Sequence, residues 1–263
     1  MSPEKKSAPS SDYDQFVNWD RRLSREAPLF QKLFDKVGAE RVLDVGAGSA
    51  RHSVMFATWG MQVCAVDPSE SMLEEARRNV DATVDQVAAA GGSVSLMSAG
   101  FGELAALGLD PFDALICTGN ALPHVGTTAD LRRALADFAA VLRPGAALVL
   151  HLLNHARLLE SKPRSISPVV RETDEGTKLF LRVMEYPEGA DHVDFDFLTL
   201  LKGPDGEWSV EHRTSPHTLL PPDVLVPELE RAGFVNIELL GAHDGTPLDP
   251  SNDESVIVLA RKA

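Results

Sequence analysis

The stretch Val42-Leu43-Asp44-Val45-Gly46-Ala47-Gly48-Ser49-Ala50 joins a short apolar run to the start of a helical pattern. A strand that passes through a glycine turn into a helix sets its loop at the carboxyl edge of a parallel sheet, where open α/β folds bind ligands. Glycines there let the backbone approach a ligand closely. A second apolar run, Gln62–Val66, ends at Asp67. That acid follows the glycines at about the 20-residue spacing suited to a ribose diol, whose two hydroxyls an ionised carboxylate accepts. A dinucleotide fingerprint requires a third glycine, and Arg51 stands in its place, so that fingerprint fails. Asp44, two residues before the glycines, suits an ammonium or another cationic group. The ligand implied carries a nucleoside and a positively charged amino-acid tail.

The rest of the chain repeats the strand–helix rhythm. Apolar runs at Arg41–Val45, Gln62–Val66, Val94–Met97, Ala114–Cys117 and Ala147–Leu153 alternate with helical patterns at Ala50–Trp59, after Ser69 and at Leu131–Val141. Near-continuous apolar strands of this kind are covered on both faces. Residues 178–216 break the rhythm. Lys178–Tyr186, His192–Leu201 and Glu207–Thr214 are parted by turn residues and predict an antiparallel meander. A helix at Pro222–Ala232 and strands at Val235–Leu240 and Ser255–Ala260 follow. The pattern predicts an α/β fold: a Rossmann-like, seven-stranded, mostly parallel sheet with helices on both faces. An N-terminal helical lid and the inserted meander complete it. The helical pattern of 13–37 is expected to kink or divide at Pro28. The expected divisions are 1–40, a disordered start and the lid; 41–165, the ligand-binding core; 166–218, the insertion; and 219–263, the last helix and strand pair.

Charge narrows the partners. Acidic residues number 39 and basic residues 25, a formal charge of −14. Such a field repels nucleic-acid phosphates. No apolar stretch approaches the roughly 20 residues that cross a bilayer, and the polar N-terminal residues lack the apolar core of a secretory signal. Cys64 and Cys117 lie in apolar runs and read as buried thiols of a reducing compartment. A cytoplasmic protein acting on a small molecule, without nucleic-acid or membrane partners, is the expectation. Monomer and homodimer both stay open.

With these residues in view, the sequence resembles a class I S-adenosylmethionine-dependent methyltransferase. The resemblance rests on the D-x-G-x-G loop at Asp44, Gly46 and Gly48, on Asp67, on the segment Pro68–Arg77, and on Arg143-Pro144-Gly145 before the fifth strand. It covers most of 13–155 and resumes at Ala232-Gly233-Phe234. It implies S-adenosyl-L-methionine as cofactor, with S-adenosyl-L-homocysteine as product. Gly46, Ala47 and Gly48 would line the methionine and ribose portion, with Asp44 beneath. Asp67 and Pro68 would meet the ribose, and Met72 would pack on the adenine. The position after the third strand, where the family places an acid for the adenine amine, is Gly100, followed by Phe101. No metal ligand set is expected.

The fourth strand ends in Thr118-Gly119-Asn120-Ala121-Leu122-Pro123-His124. This segment resembles the G-N-S-x-x-H segment of glycine and sarcosine N-methyltransferases, with Ala121 for the serine. Thr118, Gly119 and Asn120 would touch the cofactor. Asn120 would also position the acceptor, and His124 would orient or deprotonate it. Tyr13, Trp19 and Arg22 fit the N-terminal segment that, in that branch, folds over the cofactor. Asn154 matches a family asparagine, whereas Leu153 fills the place of an arginine that clamps the glycine carboxylate. Arg157 is the candidate replacement, and Asn154 and Arg157 join Asn120 and His124 as acceptor-site candidates. His217, after the meander, is a further group within possible reach of the crevice. Methyl transfer to a small-molecule amine is the reading these residues favour. An NAD-dependent oxidoreductase, against which Arg51 and Asp44 speak, and a non-catalytic cofactor-binding protein are the alternatives.

Overall fold

The computed structural model describes residues 14–263. Its strands are β1 (Arg41–Val45), β2 (Gln62–Val66), β3 (Ser93–Met97), β4 (Phe112–Cys117), β5 (Leu142–Leu153), β6 (Ser165–Thr173), β7 (Gly176–Glu185), β8 (His192–Lys202), β9 (Trp208–Thr218), β10 (Phe234–Leu240) and β11 (Ser255–Lys262). The helices are α1 (Trp19–Val37), α2 (Arg51–Ala57), α3 (Glu70–Asp81), α4 (Val84–Ala89), α5 (Thr128–Ala140), α6 (His155–Ser161) and α7 (Pro222–Arg231). Seven strands form one sheet in the order β10-β11-β5-β4-β1-β2-β3. β1 runs parallel to both β2 and β4, and β11 alone runs against its neighbours. The chain winds outward from β1 to β3, then returns to place β4 on the other side of β1. That reversal opens a crevice over the carboxyl ends of β1 and β4.

Alternation along the strands explains the two covered faces. Leu148, Leu150 and Leu152 of β5 pack with Leu131, Leu135 and Phe138 of α5 and Leu225 and Leu229 of α7. Ala147 and Val149 face the other way, toward Phe30 and Phe34 of α1 and Phe56 of α2. Cys64 and Cys117 are free and buried, and burial pushes both thiols up from their ordinary pKa.

Two expectations change. α1 runs unbroken through Pro28. Proline in a helix costs about 3 kcal/mol. Phe30, Leu33 and Phe34 follow it and are buried against the sheet, and each such side chain returns roughly 1.5–3 kcal/mol. The insertion also has four strands, in the order β6-β7-β8-β9. β6 escaped the sequence reading because its residues, Ser-Ile-Ser-Pro-Val-Val-Arg-Glu-Thr, are polar and carry a proline. It is an edge strand, and its register shifts between Ile166 and Val169, where Pro168 sits. An edge or a bulge is where a strand tolerates proline.

Candidate active site

The glycine loop holds its shape through β2. Gly46 and Ala47 both donate their N–H to the Val66 carbonyl, at 2.9 and 3.1 Å. Gly46 has φ +67°, and a Cβ there would lie 2.7 Å from that of Ala121, so only glycine fits. Gly48 donates its N–H to Asp67 Oδ2 at 2.8 Å, and nothing lies within 4 Å of where its own Cβ would stand. The other Asp67 oxygen accepts the Ser69 N–H at 2.9 Å. Burial raises the Asp67 pKa, and the two N–H groups partly oppose that rise. Each carboxylate oxygen retains acceptor capacity, so a buried carboxylate able to accept further hydrogen bonds stands beside open space at the rim. Pro68 continues the rim. Ser69 caps α3 by accepting the Met72 N–H at 3.4 Å, and Leu73 and Ala76 face the core while Met72 stays half-buried. Asp44 is buried and accepts from Ser53 Oγ at 2.5 Å. Its burial also raises its pKa.

No acid stands at Gly100, but Glu103 turns back onto its backbone. Gly100 donates its N–H to Glu103 Oε2 at 2.7 Å, and that oxygen lies 3.4 Å from where a residue-100 Cβ would be. The turn brings an exposed carboxylate beside the position where the resemblance expects an acid. Phe101 beside it packs on Phe138, with ring centroids 6.0 Å apart.

Tyr13 lies outside the described residues. Its neighbour Asp14 is drawn onto the loop, accepting Ser49 Oγ at 2.5 Å, Trp19 Nε1 at 3.0 Å, and both Nε and Nη2 of Arg51 at 2.9 and 2.8 Å. Arg51, which spoiled the dinucleotide pattern, thus anchors the N-terminal segment. Arg22 lies 5.2 Å from the Trp19 ring centre and donates to Glu26 Oε1 at 2.9 Å. The other Glu26 oxygen meets His52 Nε2 at 2.7 Å. Burial would raise the pKa of Glu26, but the His52 hydrogen bond and the Arg22 charge outweigh it and hold the carboxyl far below its ordinary value. Glu26, His151 and His243 each bring one potential ligand atom within 4.8 Å of the others. Three distant segments supply them, and no spacing pattern signals the group. Both Glu26 oxygens are already engaged by Arg22 and His52.

The β4 tip is built around Asn120, which has φ +65°. Gly119 beside it has φ +70°, and Thr118 before it is buried. Asn120 donates its N–H to the His151 carbonyl at 3.0 Å. Its Oδ1 accepts the Leu153 N–H at 2.9 Å. Because a backbone N–H only donates, the amide orientation is fixed, and Nδ2 faces His217 Nδ1 at 3.1 Å. His217 therefore accepts at Nδ1 and carries its proton on Nε2. Burial holds the pKa of His217 down at about 2, and a proton there would also be opposed by His124 and His155, when protonated, and by Arg213. The His217 ring stacks on Phe195 at 4.4 Å and meets His124 edge-on at 4.4 Å. His124 Nδ1 stands 3.3 Å from Ser215 Oγ. Desolvation, then Arg213, lower the His124 pKa as well, so both imidazoles are neutral near pH 7.

Asn154 and Arg157 do not join this group. Asn154 is buried and caps α6, accepting the Arg157 N–H at 3.3 Å. Its Nδ2 donates to the carbonyls of Pro250 and Asp253 at 2.8 and 2.9 Å. Both amide hydrogens of Asn154 are thus given to backbone carbonyls, and the side chain serves the α6 cap. Arg157 enters the cap through its backbone. Leu153 packs in an apolar cluster with Met184, Phe195 and Phe197.

A family model described as a methyltransferase domain matches residues 42–145. Over those residues the chain is similar to a methyltransferase domain, in keeping with the class I S-adenosylmethionine-dependent resemblance. It is 34% identical over 151 residues to the glycine/sarcosine N-methyltransferase of Parasynechococcus marenigrum (strain WH8102), covering 56% of this chain and 50% of that protein. It is 32% identical over 134 residues to mouse (Mus musculus) glycine N-methyltransferase, covering 47% and 44%. The chain thus spans about half the length of these relatives. Solved methyltransferases share the fold almost end to end. CcbJ from Streptomyces caelestis aligns at TM-score 0.77 and 19% identity over 97% of this chain and 96% of that one. The sugar N-methyltransferase KedS8 from Streptoalloteichus sp ATCC 53650 aligns at 0.75 and 19%, over 100% and 98%.

Proposed function

We propose that this methyltransferase-family protein moves a methyl group from S-adenosylmethionine to a nitrogen of a small-molecule acceptor. The observation that carries this reading is the meeting, at one sheet edge, of the Asp67–Gly48 rim with the Asn120–His124–His217 group. Gly46, Ala47, Gly48, Asp67 and Pro68 would hold the ribose and methionine portion. Met72, Gly100, Phe101 and Glu103 would hold the adenine, and Trp19 and Arg22 would approach from the N-terminal segment. When bound, the sulfonium supplies an electrophilic methyl group whose departure leaves a neutral thioether.

The protein's own work is orientation, which is worth roughly 7–11 kcal/mol when reacting atoms are held in line. Asn120 is fixed by Leu153 and His217 and keeps one amide hydrogen for the acceptor. His124, neutral near pH 7 and exposed at the crevice mouth, accepts the proton that the methylated nitrogen releases. The N-terminal segment and the inner face of the second sheet exclude water from above. A small-molecule acceptor accords with the acidic charge of −14. No described helix is long and apolar enough to cross a membrane, and we assign the protein to the cytoplasm.

The test is turnover. The protein is incubated with S-adenosylmethionine and a panel of primary and secondary amines, including glycine, sarcosine and amino sugars, and S-adenosylhomocysteine is quantified. Acceptor-dependent product supports the proposal. Binding of the product nucleoside without turnover on any amine or alcohol favours the non-catalytic reading, and transfer only to hydroxyls overturns the choice of nitrogen.

A further inference from the structure

Alternation along β9 sets Arg213, Ser215 and His217 in one row on the face that looks back at the β4 tip. Phe197 pairs with Arg213 in the ladder, Phe195 with Ser215 and Val193 with His217. These β8 residues line the same inner face. The opposite face carries His212 and Thr214, which bind Asp196 at 2.9 and 2.5 Å in an exposed polar patch. The inner row reaches the crevice, since Ser215 meets His124 and His217 meets Asn120.

Arg213 is the unresolved member of that row. Its guanidinium lies 4.7 Å from the Phe197 ring centre, and its Nε is buried with no hydrogen-bond partner. Among the described residues no carboxylate forms an ion pair with it. Glu211, two places along the same face, does not reach it. Burial even lowers its pKa. Its neighbours toward the crevice are neutral imidazoles, and the wall beneath is apolar, with Leu153, Phe195 and Phe197 in one cluster. A half-buried arginine without an acid is an expensive arrangement, because desolvating a charge is tolerated when an opposite charge completes it. A planar fork of donors fits a carboxylate or a phosphate oxygen pair.

Building on the amine-methylation reading, we propose that Arg213 is an anion-binding residue of the acceptor site, so that the acceptor carries a carboxylate or phosphate group beside the amine it presents to Asn120 and His124. The side chain acts as a specificity determinant, holding the acceptor's far end while the β4 tip holds its near end. Arg182, which pairs with Phe197 from the β7 side, is engaged over the Phe16 ring at 4.9 Å. Arg213 is therefore the cation that this proposal singles out.

The experiment titrates acetate and, separately, inorganic pyrophosphate into the full-length protein saturated with S-adenosylhomocysteine. Binding is followed by the imidazole resonances of His124 and His217 and by calorimetry. Wild type is expected to take up one of the two anions and to shift both imidazoles. R213Q should lose about ten- to a hundredfold in that affinity, the range of a charge-assisted pair. R213K should recover only part of it, because a point charge does not reproduce the fork. The preferred anion distinguishes a carboxylate acceptor from a phosphorylated one. Wild-type protein that binds neither anion, or R213Q that titrates like wild type, overturns the assignment. S-adenosylhomocysteine binding is measured alongside and should be unchanged in R213Q. Its absence in wild type would strike the methyl-donor reading instead, so the two failures are told apart.

Discussion

The backbone N–H of Leu153 donates to the amide oxygen of Asn120 at 2.9 Å, and this bond orients the Asn120 amide at the β4 tip. With the oxygen taken, the nitrogen must face His217, and His217 must present an unprotonated Nδ1. Replacing Asn120 with Ala removes the link among β4, β5 and β9 in one step. The kcat should fall about a hundredfold, as for loss of an oriented hydrogen-bond donor, while S-adenosylhomocysteine binding by calorimetry stays within a few-fold of wild type. Equal losses in kcat and in nucleoside binding would show that Asn120 serves the donor side instead.

Asp67 carries the opposite signature. It lies under the Gly48 N–H, beside the open rim. Asp67→Ala should abolish measurable S-adenosylhomocysteine binding, because two charge-assisted hydrogen bonds are lost at about 1.5–3 kcal/mol each. Unchanged calorimetric affinity would refute the assignment of the rim.

Glu103 should read the nucleobase. One of its carboxylate oxygens lies 3.4 Å from where a Cβ at position 100 would stand, where it can accept from an exocyclic amine. Glu103→Ala should weaken S-adenosylhomocysteine about ten- to a hundredfold and leave the inosine analogue, which lacks that amine, nearly unaffected. If the variant still discriminates between the two as wild type does, Glu103 does not contact the base.

His155 should make stability depend on pH. Its Nδ1 accepts the Leu220 N–H at 2.7 Å, so the folded ring is neutral, and burial holds its pKa down at about 4 against an ordinary 6.5. Between those values the unfolded chain binds the extra proton. The contribution is therefore complete above pH 6.5 and is lost as pH falls toward 4, at about 1.4 kcal/mol per unit. His151 and His217, held at about 3 and about 2, act in the same direction. Urea unfolding should show wild type losing several kcal/mol between pH 7 and 5. His155→Gln, which retains an acceptor for Leu220 and does not titrate, should lose about 2 kcal/mol less. Parallel curves for the two proteins would rule His155 out as a contributor.

The core was readable because its signals are local. Strand, glycine turn and acid follow one another within 27 residues from Arg41 to Asp67, and the structure reproduces β1 and β2 at their expected bounds. The β4 tip was readable for the same reason. What escaped depends on contacts between distant segments. Asn154 stands after β5, and the partners of its amide nitrogen are carbonyls about a hundred residues away, which no local pattern shows. Glu103 was hidden by a turn, and Asp14 by its partnership with Arg51. His217 was within view, but no spacing rule ties it to Asn120, since the two are 97 residues apart. β6 was masked by a composition that only an edge position tolerates.

The division of labour between the two sheets has a consequence for how this protein changes. The rim proposed for the nucleoside is drawn from β1, β2 and β3, whereas the inner row of β9 belongs to the second sheet and meets the crevice at the turn Leu122–Val125 and the β4 tip. Exchanging residues along that row rewrites the surroundings of His124 while the bond between Gly48 and Asp67 stays as it is. Selectivity can drift, in laboratory evolution as in nature, without the molecule having to relearn its grip on the shared reagent.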